Sequence, residues 1–192
     1  MKKVLIINGN PNEDSFGTAL ASAYKTGASK KGAEVKKLRV ADLIFDPIYK
    51  GYTYDRKDLE DDLMKAQELI TWADHLVFIY PNWWGTMPAL LKGFIDRVFL
   101  PGFAFKYKEN SAMVDQLLTE KTARLIVTMD SPKWYYTLFQ GKPGHNSMKK
   151  SILNFCGIKP VKITSVDQVR KSTVKRKRKW LSKIEKLGYQ VS

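Results

Sequence analysis

Residues Tyr80 to Phe105 have the sequence YPNWWGTMPALLKGFIDRVFLPGFAF, and this stretch decides the fold. An apolar run ends at Tyr80, and two prolines, two tryptophans and a glycine follow it. Apolar residues then recur at helical spacing from Leu91 to Val98, and Pro88 suits the first turn of such a helix. The stretch therefore predicts one βα unit: a buried strand, a short turn and an amphipathic helix.

Short apolar runs and segments of helical period alternate along the rest of the chain as well. This pattern predicts five βα units in a doubly wound, open parallel sheet with helices on both faces, forming a single domain over residues 1–192. We predict strands at residues 4–7, about 34–40, 75–80, 122–128 and 161–166. The predicted helices bury Phe16, Leu20, Ala23 and Tyr24; Leu59, Leu63, Ala66 and Ile70; Leu91, Phe94, Ile95 and Val98; and Val174, Leu181, Ile184 and Leu187, the last group after an N-cap at Ser172.

The composition is that of an ordinary globular protein, with 44% hydrophobic and 27% charged residues in 192. No apolar run approaches the roughly 18 residues of a membrane helix. The N-terminal segment MKKVLIINGNPNED lacks a small-residue cleavage site and is better explained as a first strand than as a signal peptide. The single cysteine, Cys156, excludes an intrachain disulfide and suits a reducing compartment, so we expect a cytoplasmic protein.

The chain carries a formal net charge of +14, concentrated near the C-terminus in the run Lys175 to Lys179. Apolar residues recur at helical spacing in the same segment, so we favour the solvated face of a final helix as the explanation. A weak role in binding a polyanion or a membrane surface is the alternative. We do not expect nucleic acid to be a partner, since only this run suggests it.

Ligands of open parallel sheets bind outside the carboxyl ends of the strands. Three loops are expected at that edge: NGNPNEDSF after the first strand, PNWWGTMP after the third, and TMDSPKWYYTLFQGKPGH after the fourth. Because these loops contain small polar residues, tryptophans and helix starts, we expect them to form the binding site.

The first loop offers polar residues just before or at a helix start, where free amide N–H groups and the helix dipole favour a phosphate. The residues concerned are Asn8, Asn10, Asn12, Ser15 and Gly17. A plain N-cap is an equally good explanation for Ser15. Neither GxxxxGK[ST] nor GxGxxG is present. The sequence therefore does not support binding of a nucleoside triphosphate by a P-loop or of a dinucleotide in the Rossmann manner.

The adjacent Trp83 and Trp84 cannot both point in one direction. If one packs into the core, the other is free to border a planar ring, and Gly85 would let the backbone approach that ring closely. Together, the first and third loops suit a flat heteroaromatic molecule that carries a phosphate.

Other chemistries have weaker support. His75 begins a strand and is expected to be structural, Cys156 is expected to be a core residue, and there is no GxSxG elbow. We expect no metal site, and the acidic residues Asp58, Glu60, Asp61 and Asp62 are best explained as a helix start. His145 ends a loop that should reach the carboxyl edge of the sheet, where the ligand is expected. A structural role for His145 is an equally good explanation.

The stretch PNWWGTMPALLKGFIDRVFLPGFAF, together with Ser15 and Phe16 and the DPIY segment at residues 46–49, resembles the flavodoxin-like NAD(P)H dehydrogenases. This is the quinone reductase family of DT-diaphorase and its shorter bacterial relatives. The resemblance covers nearly the whole chain and implies the strand order 2-1-3-4-5 and a bound flavin. It assigns Ser15, Phe16 and Gly17, with Asn10 beside them, to the phosphate; Pro81, Asn82, Trp83, Trp84 and Gly85 to the ring; and Thr128, Met129, Asp130 and Ser131 to closing the pocket.

The same resemblance implies a two-electron, ping-pong transfer of hydride from NAD(P)H to a quinone, with Tyr135 and His145 as hydrogen-bond donors. Tyr136 could equally be the tyrosine. The sequence VTMDSP stands where the family has a Thr-Thr-Gly-Gly loop, so Met129 and Asp130 replace the glycines whose backbone donates to the flavin in that family. The family also implies a homodimer, and the lack of its FAD-linked extension favours FMN over FAD. The alternative function is a flavin-binding accessory or regulatory protein of a partner such as a transporter.

Overall fold

The computed structural model describes residues 1–51, 59–109 and 113–191. Asp58, one of the predicted helix-start acids, lies outside them. Five strands form one parallel sheet in the order β2-β1-β3-β6-β7. They are β1 (Lys3–Asn8), β2 (Glu34–Arg39), β3 (His75–Pro81), β6 (Thr122–Thr128) and β7 (Val161–Val166). Since β4 and β5 lie outside this sheet, the order is the predicted 2-1-3-4-5.

In the described part of the chain, six α-helices connect the strands or cover the sheet, and their bounds follow the sequence pattern closely. They are α1 (Phe16–Lys30), α2 (Asp61–Trp72), α3 (Ala89–Val98), α4 (Lys133–Leu138), α5 (Pro143–Asn146) and α6 (Val174–Tyr189). A π-helix (Ser147–Leu153) continues α5. Pro88 precedes α3 as its N-cap residue, and the acidic residues Asp61 and Asp62 lie in the first turn of α2, as predicted.

Two apolar layers hold the helices to the two faces of the sheet. Helices α2 and α3 pack on one face. Helices α1 and α6 pack on the other, where the glycines Gly27 and Gly188 allow their backbones to come into close contact. Both sides of the central strand β3 are buried, which explains why its sequence is a continuous apolar run.

The DPIY segment is attached to α3. The buried guanidinium of Arg97 donates to the carbonyl of Asp46 at 2.6 Å and to Glu60 Oε2 at 2.8 Å. Gly93 leaves room for Pro47, because a Cβ at Gly93 would lie 2.6 Å from the Pro47 Cβ. This side of the molecule is therefore fixed by a buried ion pair and by backbone packing.

Two local predictions are corrected by the structure. The N-cap of α6 is Thr173, whose hydroxyl accepts from the Arg176 amide at 3.2 Å, while the predicted cap Ser172 donates to the carbonyl of Gln168. Val174 is exposed rather than buried, because it is the first residue of α6 and precedes the turn that packs on α1. A two-stranded antiparallel hairpin, β4 (Phe105–Tyr107) and β5 (Val114–Gln116), was not predicted.

Candidate functional site

An open crevice of about 200 Å³ lies at the carboxyl edge of the sheet, where the predicted loops meet. Ten predicted site residues line it: Asn10, Ser15, Phe16, Gly17, Pro81, Asn82, Trp83, Thr128, Met129 and Asp130. Val169, in the loop after β7, also lines it and was not predicted. Trp84, Gly85, Ser131, Tyr135 and His145 do not line the crevice.

The first loop is a chain of side-chain-capped turns that leads into α1. The side-chain oxygens of Asn8, Asn10 and Asn12 each accept from the amide two residues later, at 3.0 to 3.1 Å. Ser15 then caps the helix by accepting from the Thr18 amide at 3.3 Å. The amides of Phe16 and Gly17 lie in the first helical turn and have no intrahelical acceptor, so they are available to an anion in the crevice.

A helix start and a nearby lysine add positive potential at this end of the crevice. The first turn of α1 contains no acidic residue, and the Lys177 ammonium lies 5.8 Å from the centre of the Phe16 ring. Gly17 keeps the space clear, because a Cβ there would lie 3.3 Å from Ser15 Oγ and 3.6 Å from Asn10 Nδ2. A free helix start, a nearby cation and a glycine at the point of approach fit a phosphate group.

The two tryptophans lie on a tight turn. The Trp83 amide donates to the Thr86 carbonyl at 2.8 Å, and the Thr86 amide donates back to Trp83 at 3.0 Å. Trp84 and Gly85 both have positive φ, of 51° and 81°, which is the backbone of a two-residue hairpin turn. Trp83 is about half exposed and Trp84 is fully exposed. Neither packs into the core, because the turn projects from the sheet edge.

Tyr136 holds this turn from behind. Its hydroxyl donates to the carbonyl of Gly85 at 2.9 Å and accepts from the amide of Gly144 at 3.0 Å. The same Gly144 amide also donates to the Gly85 carbonyl at 2.9 Å. Of the two tyrosines between which the sequence left the choice open, Tyr136 is buried behind the turn and Tyr135 is exposed.

His145 packs edge-on against Tyr136, with the ring centres 4.9 Å apart. It lies in α5 and is only 5% exposed, and its Nε2 is buried without a hydrogen-bond partner among the described residues. Burial, together with the positive charges of Lys142 and Lys133, lowers the pKa of His145 to about 4. His145 is therefore a neutral imidazole near pH 7, adjoining the turn from behind.

The loop after β6 forms the third side of the crevice. The Asn82 amide donates to the Thr128 carbonyl at 2.7 Å. The Met129 amide is already used, since it donates to the Val166 carbonyl at 2.9 Å. Asp130 accepts from the Arg170 amide at 2.8 Å. Met129, which stands where the resembling family has a glycine-containing loop, therefore has no free N–H to offer a ligand.

The crevice combines a helix start that has free amides with an aromatic turn and a polar third loop, which is the donor set expected for a mononucleotide with a flat ring system. Among the described residues, no group of three or more His, Cys, Asp or Glu side chains could hold a metal ion. No helix in the described part of the chain is long and apolar enough to span a membrane. Fold and site together define a flavodoxin-like protein.

Comparison with known proteins agrees with this class. The model of the family described as having a flavodoxin-like fold matches residues 2–187, so the chain belongs to that family. A solved structure, Smu.1420 from Streptococcus mutans UA159, is 36% identical with a TM-score of 0.86, covering 98% of this chain and 100% of that one.

Two curated relatives have named activities. An uncharacterized NAD(P)H oxidoreductase of Haemophilus influenzae is 29% identical over 161 residues, which is 82% of this chain and 79% of the relative. NAD(P)H dehydrogenase [quinone] 1 of Cavia porcellus is 29% identical over 185 residues, which is 82% of this chain and 65% of the relative.

Proposed function

We propose that the protein is an FMN-dependent NAD(P)H:quinone oxidoreductase. The observation that carries this proposal is the crevice, in which a free helix start and an aromatic hairpin turn lie at the same sheet edge. The names of the two curated relatives supply the reaction class, an NAD(P)H-dependent reduction and, for the Cavia porcellus relative, a quinone acceptor.

The amides of Phe16 and Gly17, the Ser15 hydroxyl and the charge of Lys177 would bind the FMN phosphate. One helix start suits the one phosphate of FMN. Pro81, Asn82 and Trp83 would border one side of the ring, and Thr128 to Asp130 the other. Bound FMN supplies a ring that accepts a hydride from NAD(P)H and delivers two electrons to a quinone.

The protein's own residues contribute position and access. Tyr136 and His145 hold the Trp83 to Thr86 turn at the ring end, while the crevice stays open enough for donor and acceptor to enter in turn. We assign Tyr135 rather than Tyr136 the role of hydrogen-bond donor to a bound acceptor, because the Tyr136 hydroxyl already donates to Gly85.

We further propose that the enzyme is a homodimer. Tyr107, Leu117 and Phe155 are large exposed hydrophobic residues of the hairpin and the segment beside it. A groove of about 270 Å³ lies there, between α3, the hairpin and the π-helix, and its lining includes Phe99 and Phe105. Exposed apolar surface of this kind favours contact with a second copy. Analytical ultracentrifugation at micromolar protein tests the dimer, and a monomer with full activity would contradict it.

We place the protein in the cytoplasm. Its single cysteine, Cys156, is buried, and burial raises the pKa of the thiol to about 12, so the side chain behaves as an unreactive core residue. Tagging the protein in its own cells and fractionating them tests this location.

The direct test of the reaction is steady-state oxidation of NADH and of NADPH by the FMN-loaded protein with a water-soluble benzoquinone. The proposal predicts quinone-dependent turnover with parallel double-reciprocal lines, the pattern of a ping-pong reaction. A protein that binds FMN but oxidises neither nucleotide with any quinone would instead be a flavin-binding accessory protein.

A further inference from the structure

An exposed apolar surface adjoins the crevice and extends beyond Tyr135, the one of its residues to which the proposed reaction assigns a role. Trp134, Leu138 and Phe139 of the α4 segment are 60%, 74% and 72% exposed, and Tyr135 and Trp84 beside them are exposed as well. We call these five residues the aromatic patch. Its rings pack on one another at the surface, with centre distances of 6.0 Å for Trp134 and Tyr135 and 5.5 Å for Tyr135 and Phe139. Such a concentration of exposed apolar side chains marks an interaction surface.

Positive charge is concentrated in the segment that carries most of the aromatic patch and in a second segment hydrogen-bonded to it. The two segments concerned, residues 130–142 and 167–179, contain nine Lys and Arg residues and two Asp. We call these nine cations the basic rim: Lys133, Lys142, Arg170, Lys171, Lys175, Arg176, Lys177, Arg178 and Lys179. Hydrogen bonds join the two segments, because the Lys133 amide donates to Asp167 at 3.0 Å and the Arg170 amide donates to Asp130 at 2.8 Å. Asp167 also pairs with the Arg176 guanidinium at 2.8 Å, so one rim cation balances one of the two acids.

We propose that the aromatic patch and the basic rim dock the protein on the surface of an anionic lipid bilayer. Tryptophan and tyrosine favour the headgroup region, leucine and phenylalanine favour the acyl boundary, and each lysine or arginine near the surface adds attraction to anionic lipid. Side chains exposed by 60% or more stand out from the protein, which suits insertion into a deformable phase.

Like-charge repulsion and ring packing disfavour the other simple occupants of this face. A second copy docked through the same face would bring two basic rims together, which like-charge repulsion disfavours. A single-stranded nucleic acid would need free ring faces for stacking, but Tyr135 and Phe139 stack on each other at an interplanar angle of 21°.

Docking in this way would bring the mouth of the crevice to the bilayer. The Trp84 turn joins the aromatic patch to the crevice, since the Gly85 carbonyl accepts from Gly144 and Tyr136. Acceptors dissolved in the lipid would then reach the crevice without crossing water. The docking itself does not depend on the proposed reaction, so its test requires no enzymatic turnover.

The test is cosedimentation of the FMN-incubated protein with vesicles of phosphatidylcholine alone or with about one third phosphatidylglycerol, at low and at high salt. We expect binding only to the anionic vesicles, and weaker binding as salt rises. Lys142→Gln/Arg170→Gln/Lys171→Gln is expected to weaken this binding about tenfold or more. Trp134→Ser/Leu138→Ser/Phe139→Ser is expected to weaken it to a similar extent, about tenfold.

The matched control is Lys2→Gln/Lys159→Gln/Lys162→Gln, which removes the same charge from the opposite edge of the sheet and is expected to bind vesicles almost as well as the wild type. Circular dichroism checks that each variant is folded. Equal loss in the control and the rim variant would overturn the proposal. Binding of the wild type to a single-stranded oligonucleotide but not to vesicles would also overturn it. So would a wild type that does not bind vesicles together with a serine variant that loses its oligomeric state.

Discussion

Two buried histidines at opposite edges of the sheet show how differently the two ends of the molecule are built. His75, at the amino edge, has a partner at each ring nitrogen: Tyr24 Oη at 3.2 Å and Thr122 Oγ1 at 2.6 Å. His145, at the carboxyl edge, has a buried Nε2 with no partner in the described part of the chain. Burial is the main cause that lowers the pKa of each to about 4.

The contrast between the two histidines indicates that the amino edge serves stability and the carboxyl edge serves ligand binding. Around His75 the polar side chains bond to one another, and the Tyr24 ring lies nearly parallel to the histidine ring with the ring centres 6.4 Å apart. At the carboxyl edge the molecule keeps a left-handed Trp84, exposed aromatic rings and helix-start amides without intrahelical acceptors. Strain and unmet hydrogen bonds of this kind concentrate at ligand sites. Changes at the amino edge should therefore alter stability, and changes at the carboxyl edge should alter binding.

The largest expected effect is the loss of stability in acid. Between pH 6.5 and about 4 the unfolded chain protonates both histidines while the folded chain does not. Stability is therefore complete above pH 6.5 and falls as the pH approaches 4, by about 3 kcal/mol for each histidine. Urea unfolding across this range measures the effect. Leucine in place of either His75 or His145 should remove about half of the loss, and an unchanged slope in both variants would contradict the account.

Next in size is His75→Ala. This change removes a buried ring and leaves the Tyr24 and Thr122 hydroxyls without their partner, so we expect unfolding to become about 3 kcal/mol easier. Affinity for FMN should stay within about twofold, as measured by quenching of FMN fluorescence. Weakened FMN binding in a folded His75→Ala protein would show that the two edges are coupled.

Gly17→Asp is the corresponding change at the carboxyl edge. It places a carboxylate where we expect the phosphate, so FMN affinity should fall about 100-fold through charge repulsion, with little change in stability. Thr26→Asp adds the same charge to an exposed position of α1, more than two turns away, and serves as the control. Equal loss in the two variants would mean that the helix start does not bind the phosphate.

The smallest effect is expected for Tyr136→Phe. Loss of the hydroxyl removes one donor to Gly85 and one acceptor for Gly144, at a cost of about 1 kcal/mol in stability. Because the turn loosens, FMN affinity should fall by about threefold to tenfold. Tyr135→Phe is the control and should change quinone turnover but not unfolding. If the two variants exchanged these effects, the assignment of the two tyrosines would be reversed.

Most of the fold could be predicted because buried parallel strands leave an unambiguous sequence pattern. Strands β6 and β7 begin and end at the predicted residues, and α3 follows Pro88. The hairpin β4 and β5 could not be predicted, since strands of three residues are too short to show a period. At the cap of α6 the adjacent hydroxyls of Ser172 and Thr173 were equally suitable by residue type.

The candidate site was only partly predictable. Applying the carboxyl-edge rule to the loop after β7 as well would have indicated Val169 and the nearby Lys177. The hydrogen bond from Tyr136 to the Gly85 carbonyl joins residues 51 positions apart, so no local sequence pattern could predict it. The exposure of both tryptophans follows from a left-handed Trp84, a conformation that the sequence does not suggest for a bulky residue.

The most direct test of the central claim is the visible absorption spectrum of the protein purified without added cofactor, followed by acid release and chromatography of the bound molecule. The account predicts a flavin spectrum with one FMN per chain, or stoichiometric uptake of added FMN by any cofactor-free fraction. A colourless protein that fails to bind added FMN would contradict the assignment of the crevice and the function built on it.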